Sequence, residues 1–228
     1  MPKHMLKEIE RVKSMVRALS TQVEESVHRA VNSIERRDAA LANRVIESDI
    51  EIDHMEVDVE EECLKILALH QPVAQDLRFL VAALKINSDL ERIADLAVNI
   101  AERAIFLSTQ EKLDIPFDFS GMADKAKEML EKSLEAFFEL DSGLAREVCA
   151  ADDEVDAINR EVYDKVKDGV IKHPASVNSL LHFLSVSRHL ERIADHATNI
   201  AEDVIYMKDG DIVRHKAEEY KEDGSGKK

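Results

Sequence analysis

The sequence contains few of the residues that interrupt helices or cross-link small folds. Its 228 residues include six glycines, four prolines, two cysteines and no tryptophan. Scarce glycine and proline, with abundant Ala, Leu, Glu, Lys, Val and Ile, favour long helices over sheets. Cys63 and Cys149 lie within helical patterns, so we expect reduced and mostly buried thiols with a packing role rather than a metal-ligand role.

Long apolar runs and an excess of basic residues are also missing. No stretch approaches the roughly 20 apolar residues that cross a bilayer, and residues 1–19 are amphipathic, unlike a secretion signal. We therefore expect a soluble, cytoplasmic protein with no transmembrane segment. The formal net charge of -16 argues against nucleic acid as a partner, because phosphate binding needs a basic surface. The chain is long enough for one or two domains with a substantial core.

The second half of the chain repeats the first. Leu-Glu-Arg-Ile-Ala-Asp stands at 90–95 and again at 190–195, followed by Asn-Ile-Ala-Glu at 99–102 and 199–202. Three upstream aspartates recur at an offset of 103: Asp38, Asp49 and Asp53 as Asp141, Asp152 and Asp156. The chain is therefore a tandem duplication, and we expect the acids to perform the same task twice.

Turn signals divide each repeat into three helices. In the first repeat, a turn at Arg37-Asp38 with Asp38 as cap and a break at Gln71-Pro72 separate helices that end near Ile34, Leu69 and Ser108. The second repeat predicts helices over about 122–140, from the turn at 141–143 to about 172, and from the break at 173–174 to about 208.

These signals predict an all-α fold, a tandem repeat of two elongated antiparallel three-helix bundles joined end to end or side by side. The predicted organisation is a first bundle over 1–112, a linker over 113–121, a second bundle over 122–208 and a flexible C-terminal tail over 209–228. Pro116 and the possible caps Asp118 and Ser120 mark the linker.

Acidic residues form a stripe on the second helix of each repeat. At 100° per residue, Asp49, Asp53, Glu56 and Glu60 fall within about 40° of one direction, on the half of the helix expected to face its neighbours. Apolar residues including Ile50 and Val57 are expected to lie on the same side or to flank it. Asp152 and Asp156 occupy the equivalent face in the second repeat.

The third helix of each repeat changes from apolar to acidic along one face. Leu77 and Val81 belong to an apolar stripe that Glu91, Asp95 and Glu102 continue in the same angular sector. The second repeat runs in the same way from Val177 and Leu181 to three acids, Glu191, Asp195 and Glu202.

The register of the helices predicts that these acids meet. Asp49 and Asp53 lie about 22 and 18 residues before the turn, and Glu91 and Asp95 lie about 20 and 24 residues after it. In the second repeat, Asp152 and Asp156 lie about 21 and 17 residues before the turn. Glu191 and Asp195 lie about 18 and 22 residues after it. Two like charges at 5 Å cost about 3 kcal/mol at an effective dielectric near 20. Such a cluster must protonate, pair with basic side chains or bind a cation.

The sequence therefore predicts a metal site in each repeat, with eight first-choice ligands: Asp49, Asp53, Glu91, Asp95, Asp152, Asp156, Glu191 and Asp195. Six further residues are second choices: Glu56, Glu60, Asn99, Glu102, Asn199 and Glu202. Oxygen ligands favour Mg²⁺, Ca²⁺, Mn²⁺ or ferric iron, and four to six carboxylates could share more than one ion. Two alternatives remain open, namely a network paired with Arg92 and Arg192 and acids that are simply solvated.

The repeated phrases resemble the PhoU family of accessory regulators of phosphate uptake. The resemblance covers residues 5–208 and includes the doubled Leu-Glu-Arg-Ile-x-Asp, His-Ala-Thr-Asn-Ile-Ala-Glu at 196–202 and Gln-Pro-Val-Ala-Gln-Asp-Leu-Arg at 71–78. Ala94 and Ala194 stand where the family often has glycine. Residues 76–78 have no counterpart in the second repeat, so the two halves need not be equivalent.

The resemblance implies a function that the residues alone do not reveal. It implies a cytoplasmic, non-enzymatic regulator that couples a phosphate ABC transporter, through its ATPase, to a phosphate-sensing histidine kinase and acts negatively when phosphate is plentiful. It also implies multinuclear iron or zinc clusters on the eight first-choice ligands. We expect a homodimer.

Two other functions fit parts of the sequence. Glu51-x-x-His54 and Glu25-x-x-His28 match a ligand motif of di-iron carboxylate enzymes, although Glu51 and His54 are expected on the solvent side. Metal storage would use the same acids. A metal-free helical adaptor is the third interpretation, and no recognisable nucleophile motif or glycine-rich phosphate loop favours hydrolysis.

Overall fold

The computed structural model describes residues 3–113 and 117–210. Within these ranges the chain forms six α-helices and one 3-10 turn. The helices are α1 (Lys3–Arg36), α2 (Ala39–His70), α3 (Ala74–Ser108), α4 (Phe119–Glu139), α5 (Ser142–Lys172) and α6 (Val177–Asp209). Three helices on each side of the inter-repeat connection confirm the all-α tandem repeat.

Aspartate caps start one helix of each repeat in the same way. The carboxylate of Asp38 accepts hydrogen bonds from the backbone N–H groups of Ala40 and Leu41, at 3.0 and 2.9 Å. Asp141 accepts from Gly143 and Leu144 at 2.9 and 3.2 Å. Each cap satisfies backbone donors that the first helical turn leaves without partners. The predicted cap at Asp38 is confirmed.

Two predicted boundaries are wrong by a few residues. Helix α4 begins at Phe119, inside the predicted linker, because the Asp118 carboxylate accepts from the backbone N–H of Gly121 at 2.9 Å and so starts the helix earlier. Ser142 and Gly143, predicted as a turn, are the first residues of α5 because Asp141 caps it. Residues 114–116 of the predicted linker and 211–228 of the predicted tail lie outside the described residues.

The two bundles lie side by side. Helix α3 packs against both α1 and α2, helix α6 packs against α4 and α5, and the bundles meet where α3 packs on α6 and α1 on α4. The ring of Phe106 on α3 stacks on His182 of α6 with centroids 3.9 Å apart. One continuous apolar core therefore runs through both repeats, and it includes Ile93, Ala97 and Ile100 with their counterparts on α6.

Both cysteines are free, as predicted. Cys63 is fully buried in the core and Cys149 is half-buried against it. Burial, with nearby Glu62 and Glu60, raises the pKa of the Cys63 thiol to about 12. Burial, with nearby Glu202 and Asp152, raises the pKa of the Cys149 thiol to about 11. Both thiols therefore stay protonated near neutral pH.

Candidate metal centre

The first groove lies between α2 and α3 and holds the four acids of the first repeat. Asp49 and Asp53 stand one turn apart on α2, and Glu91 and Asp95 stand one turn apart on α3. Asp49 and Glu91 are half-buried, whereas Asp53 and Asp95 are exposed. Each helix therefore contributes one half-buried and one exposed carboxylate.

The acids of the two helices act on each other across this groove. Burial, together with the charges of Asp53 and Asp95, raises the pKa of Asp49 to about 6. Burial also raises the pKa of Glu91, with Asp95, Glu56 and Asp53 adding to the shift and Arg92 opposing it. Because Asp95 perturbs Asp49 and Asp53 perturbs Glu91, the two helices bring their acids to the same height.

The second groove, between α5 and α6, repeats this pattern. Burial, together with the charges of Asp195, Asp156 and Asp153, raises the pKa of Asp152 to about 6. The pKa of Glu191 is raised by burial and then by Asp195, Asp156 and Asp152. The pKa of Asp195 is raised by burial and by the charge of Asp156. The pairs Asp152–Asp195, Asp156–Glu191 and Asp156–Asp195 join α5 to α6, so the duplication extends from the sequence to the electrostatics of the grooves.

The second-choice residues divide into members and non-members of the grooves. Glu56 is half-buried, and burial, Glu60 and Asp53 raise its pKa. Glu202 is half-buried, and its charge raises the pKa of Cys149, as the charge of Asp152 does. Both therefore extend their grooves.

The other second-choice residues lie further out. Asn99 donates its side-chain amide to the backbone oxygen of Asp95 at 2.7 Å, and Glu102 pairs with Arg103 at 3.3 Å. Asn199 is exposed beside Arg92 on the α3–α6 seam, and Glu60 is exposed on α2. Glu60 acts on Glu56, so it lies at the edge of the first groove.

The chemistry of the first-choice residues fits a hard cation. In the part of the chain that the structure describes, no Lys, Arg or His nitrogen lies within 4.0 Å of the carboxylate oxygens of any of the eight. The Oδ1 atom of Asp49 is buried and has no hydrogen-bond partner among the described residues. A buried carboxylate oxygen without a donor is costly, and a cation would satisfy it.

The carboxylates do not stand as a ready-made coordination shell. Over residues 3–113 and 117–210, no three Asp, Glu, His or Cys side chains are close enough to hold one ion in their present rotamers. Like charges repel, and exposed Asp53 and Asp95 can turn towards water. Metal binding at the eight residues therefore stays a prediction, and it requires the side chains to leave their present rotamers.

Some predicted apolar faces are wrong in part. Ile50 and Val57, expected on or beside the neighbour-facing side of α2, are 63% and 48% exposed. The predicted apolar stripe of α3 comprised Leu77, Leu80, Val81 and Leu84. Leu80 and Leu84 pack on the core, whereas Leu77 and Val81 are 40% and 37% exposed. The physical reason is that α3 already turns its other faces to α1, α2 and α6, which leaves this sector at the surface.

One interhelical contact was missed by the sequence analysis. Asn87 of α3 is buried, and its amide donates to both the backbone oxygen and Oε1 of Glu56 at 2.9 Å. In the second repeat, Ser187 of α6 donates to Oδ1 of Asn159 on α5 at 2.6 Å. The sequence signal for this contact was Asn87 itself, a polar residue on an otherwise apolar face of α3, one turn before Glu91.

The histidines give no support to a di-iron enzyme site. Glu51, His54, Glu25 and His28 are all exposed. His189 of α6 is half-buried with its Nε2 atom 3.1 Å from the Ser185 hydroxyl. Burial, followed by Arg103 and Arg192, lowers its pKa to about 4.

Comparison with known proteins decides the family. The family described as "PhoU domain" matches this chain twice, over residues 16–104 and 119–204. The chain belongs to the PhoU family. The two PhoU matches correspond to the two bundles, so each three-helix unit is one copy of the domain.

Relatives align along nearly the whole chain. A protein of Aquifex aeolicus named "Phosphate-specific transport system accessory protein PhoU homolog" is 39% identical over 211 residues, which are 92% of this chain and 96% of that protein. The crystal structure of PhoU from Pseudomonas aeruginosa has a TM-score of 0.86 and 36% identity, covering 90% of this chain and 99% of that one.

A more distant structure preserves the same fold. The crystal structure of the phosphate transport system regulatory protein PhoU from Streptococcus pneumoniae has a TM-score of 0.83 at 26% identity, covering 92% of this chain and 99% of that one. None of the helices in the described ranges is long and apolar enough to cross a membrane.

Proposed function

We propose that this protein is a non-enzymatic, cytoplasmic accessory protein of a phosphate-specific transport system and a negative regulator of phosphate uptake and phosphate-starvation signalling. The supporting observation is the near full-length match to relatives named as accessory proteins of that system. The doubled PhoU domain and the helical fold shared with a PhoU regulatory protein agree with this function.

The regulator acts by binding. It couples the ATPase of the phosphate ABC transporter to the phosphate-sensing histidine kinase, and it damps both when phosphate is plentiful. Long rigid helices with extended exposed faces suit docking to several partners, and a homodimer would present each face twice. These partners come from the resemblance described above.

We further propose that each groove holds a multinuclear metal site. Asp49, Asp53, Glu91 and Asp95 would hold it in the first repeat, with the equivalent four acids in the second. Bound cations would neutralise the repelling carboxylates and tie α2 to α3 and α5 to α6. Iron or zinc follows from the resemblance, whereas the all-oxygen ligands also suit Mg²⁺, Ca²⁺ or Mn²⁺.

A deletion strain tests the regulatory function. We expect a reporter of phosphate-starvation genes to become active in high phosphate when the gene is deleted, and to return to low expression when the wild-type gene is restored. Unchanged reporter activity in the deletion strain would overturn the regulatory proposal.

Elemental analysis of the purified protein tests the metal sites separately. We expect stoichiometric metal in the wild type and loss of about half of it in a Glu91→Ala/Asp95→Ala variant, because the second groove stays intact. Glu191→Ala/Asp195→Ala should lose the other half. If Glu91→Ala/Asp95→Ala keeps the full metal content, Glu91 and Asp95 are not metal ligands. A wild-type protein that contains no metal but still represses would favour the metal-free adaptor.

The enzyme and storage alternatives have distinct signatures. Oxygen-dependent turnover of iron by the purified protein would favour a di-iron enzyme. A metal content per chain far above that of two small clusters would favour metal storage. Neither outcome is expected from exposed Glu51 and His54 or from grooves that are open to solvent.

A further inference from the structure

An apolar stripe runs along the outer surface of α2. Ile50, Val57 and Leu64 follow one another at intervals of seven residues, so they lie on one face of the helix. Their exposed fractions are 63%, 48% and 50%. Ile50 and Val57 point away from the side of α2 that packs on α1 and α3, and Leu64 lies at the edge of a cleft that Arg11 and Met15 of α1 also line. Three large apolar side chains in a line on a solvent-facing helix require an explanation beyond packing of this bundle.

The second repeat shows that the bundle does not need this stripe. At the offset of 103 that relates the aspartates of α2 to those of α5, the three positions are Asp153, Arg160 and Lys167. These three residues are exposed, as Ile50, Val57 and Leu64 are. The same three-helix unit therefore folds with charged residues on this face. The apolar stripe is a property of the first repeat alone.

Acidic residues border the stripe on both sides. Asp53 and Glu60 lie between it and the α2–α3 groove, and Glu47 and Glu61 lie on its far side. All four are exposed. Helix α2 carries nine Asp and Glu residues against two Lys and Arg, whereas α5 carries eight against five. The surface is thus an apolar line inside a strongly negative margin.

We propose that this stripe of α2 is a docking surface for an amphipathic helix with basic margins on a partner protein. The apolar face of such a helix would cover Ile50, Val57 and Leu64, and its Lys and Arg residues would meet the acids on both sides. A second copy of this chain fits poorly, because it would place acid against acid. An anionic membrane is repelled for the same reason.

The inference is independent of the regulatory function proposed above, and a peptide probe tests it. The probe is a fluorescent 18-residue amphipathic helix made of Leu and Lys, and binding is followed by anisotropy in EDTA so that metal at Asp53 does not contribute. A peptide of the same pattern with Glu in place of Lys reports on charge. We expect the Lys peptide to bind the wild-type protein and the Glu peptide not to bind.

Matched variants separate this surface from general attraction to an acidic protein. The test variant Ile50→Gln/Val57→Gln/Leu64→Gln keeps the charge and the helix propensity of α2. The control Tyr163→Gln/Ile171→Gln/Leu181→Gln changes three exposed apolar residues of the second repeat. We expect affinity for the Lys peptide to fall about tenfold or more in the test variant and to change less than about twofold in the control.

Equal affinities in the two variants, or binding of the Glu peptide to the wild type, would overturn the proposal. Circular dichroism of both variants verifies that helix content is unchanged. Should the triple variant lose helix content, Val57→Gln alone is measured against Tyr163→Gln, with a selective loss of at least about threefold expected. Light scattering tests whether a second copy of this chain covers the stripe. If the wild type is a dimer and the test variant is a monomer, the stripe mediates self-association instead.

Discussion

The amide of Asn87 on α3 joins both the backbone and the side chain of Glu56 on α2, with each hydrogen bond 2.9 Å long. Asn87 is buried one turn before Glu91, and Glu56 lies just after Asp53. A side chain that holds a backbone oxygen of the neighbouring helix fixes the relative height of the two helices. This contact therefore sets the register that brings Asp53 level with Glu91.

Asn87→Ala should destabilise the first bundle. The change removes both donors and leaves a backbone oxygen and a half-buried carboxylate without them, which costs about 1–3 kcal/mol in unfolding free energy. Urea unfolding followed by circular dichroism measures the loss. Ser187→Ala is the matched control, because it removes hydrogen bonds to the side chains of Asn159 and Met122 and none to the backbone. Equal stability of Asn87→Ala and the wild type would contradict the role given to this amide.

The raised pKa values of Asp49 and Asp152 predict how stability depends on pH in the metal-free protein. Their pKa values are about 6 in the folded state against an ordinary value of 3.8, so the folded protein binds more protons between these limits than the unfolded chain. The contribution of these groups is therefore most favourable below pH 3.8 and is lost as the pH rises through about 6.

Asp49→Asn should relieve this penalty. In EDTA near pH 7 we expect the variant to be more stable than the wild type, by on the order of 1 kcal/mol after solvent screening of this half-exposed group. Near pH 4 the difference should disappear. Asp58→Asn, on the exposed side of α2, is the control and should show little change at either pH. A variant that gains nothing near pH 7 would show that Asp49 is not strained by its neighbours.

Much of the fold follows from local signals in the sequence. Asp38 and Asp141 start their helices as caps, and the breaks at Gln71-Pro72 and His173-Pro174 separate the long helices. The equal height of the acids was predictable, because the two helices of each hairpin are joined by one turn and rise by the same amount per residue. Phe119 to Gly121 were misplaced because the sequence offers two possible caps, Asp118 and Ser120, and the earlier one starts the helix.

The exposed faces were harder to predict from the sequence. Periodicity gives the angle of a residue around its helix, but it does not say which sector a third helix will cover. Ile50 and Val57 look like core residues until α1 and α3 are seen to pack on other sides of α2. The side-by-side contact of α3 with α6 was one of two open arrangements, because the residues that form it, such as Phe106 and His182, are far apart in the chain.

The thiols of Cys63 and Cys149 should not react in the folded protein. Their pKa values, raised to about 12 and 11 by burial and by nearby carboxylates, leave almost no thiolate near pH 8. We expect a thiol reagent such as 5,5′-dithiobis(2-nitrobenzoic acid) to modify neither cysteine in the native state and both in denaturant. Rapid native modification of Cys63 would contradict its burial, and the half-buried Cys149 should be the first to react as denaturant is added.

The ion pair between Lys85 and Asp203 should stabilise the junction of the two bundles. Lys85 Nζ on α3 lies 2.9 Å from Asp203 Oδ1 on α6, and the Asp203 side chain is only 4% exposed. Lys85→Met keeps the aliphatic stem but removes the ammonium group. We expect a loss of about 1–2 kcal/mol, less than the roughly 3–5 kcal/mol of a fully buried pair, because Lys85 is partly exposed.

Arg103→Met provides the internal control for this junction. Arg103 occupies the position equivalent to Asp203, and its Nε atom donates to the Ser185 hydroxyl, the counterpart of Lys85, at 3.4 Å. A long hydrogen bond to a neutral hydroxyl is weak, and the 3.3 Å pair of Arg103 with Glu102 is at the surface, so this variant should lose less than about 1 kcal/mol. Urea unfolding near pH 7 in EDTA compares the two variants. If they lost the same amount, the buried charge of Asp203 would not depend on Lys85, and the asymmetry of the junction would have no energetic consequence.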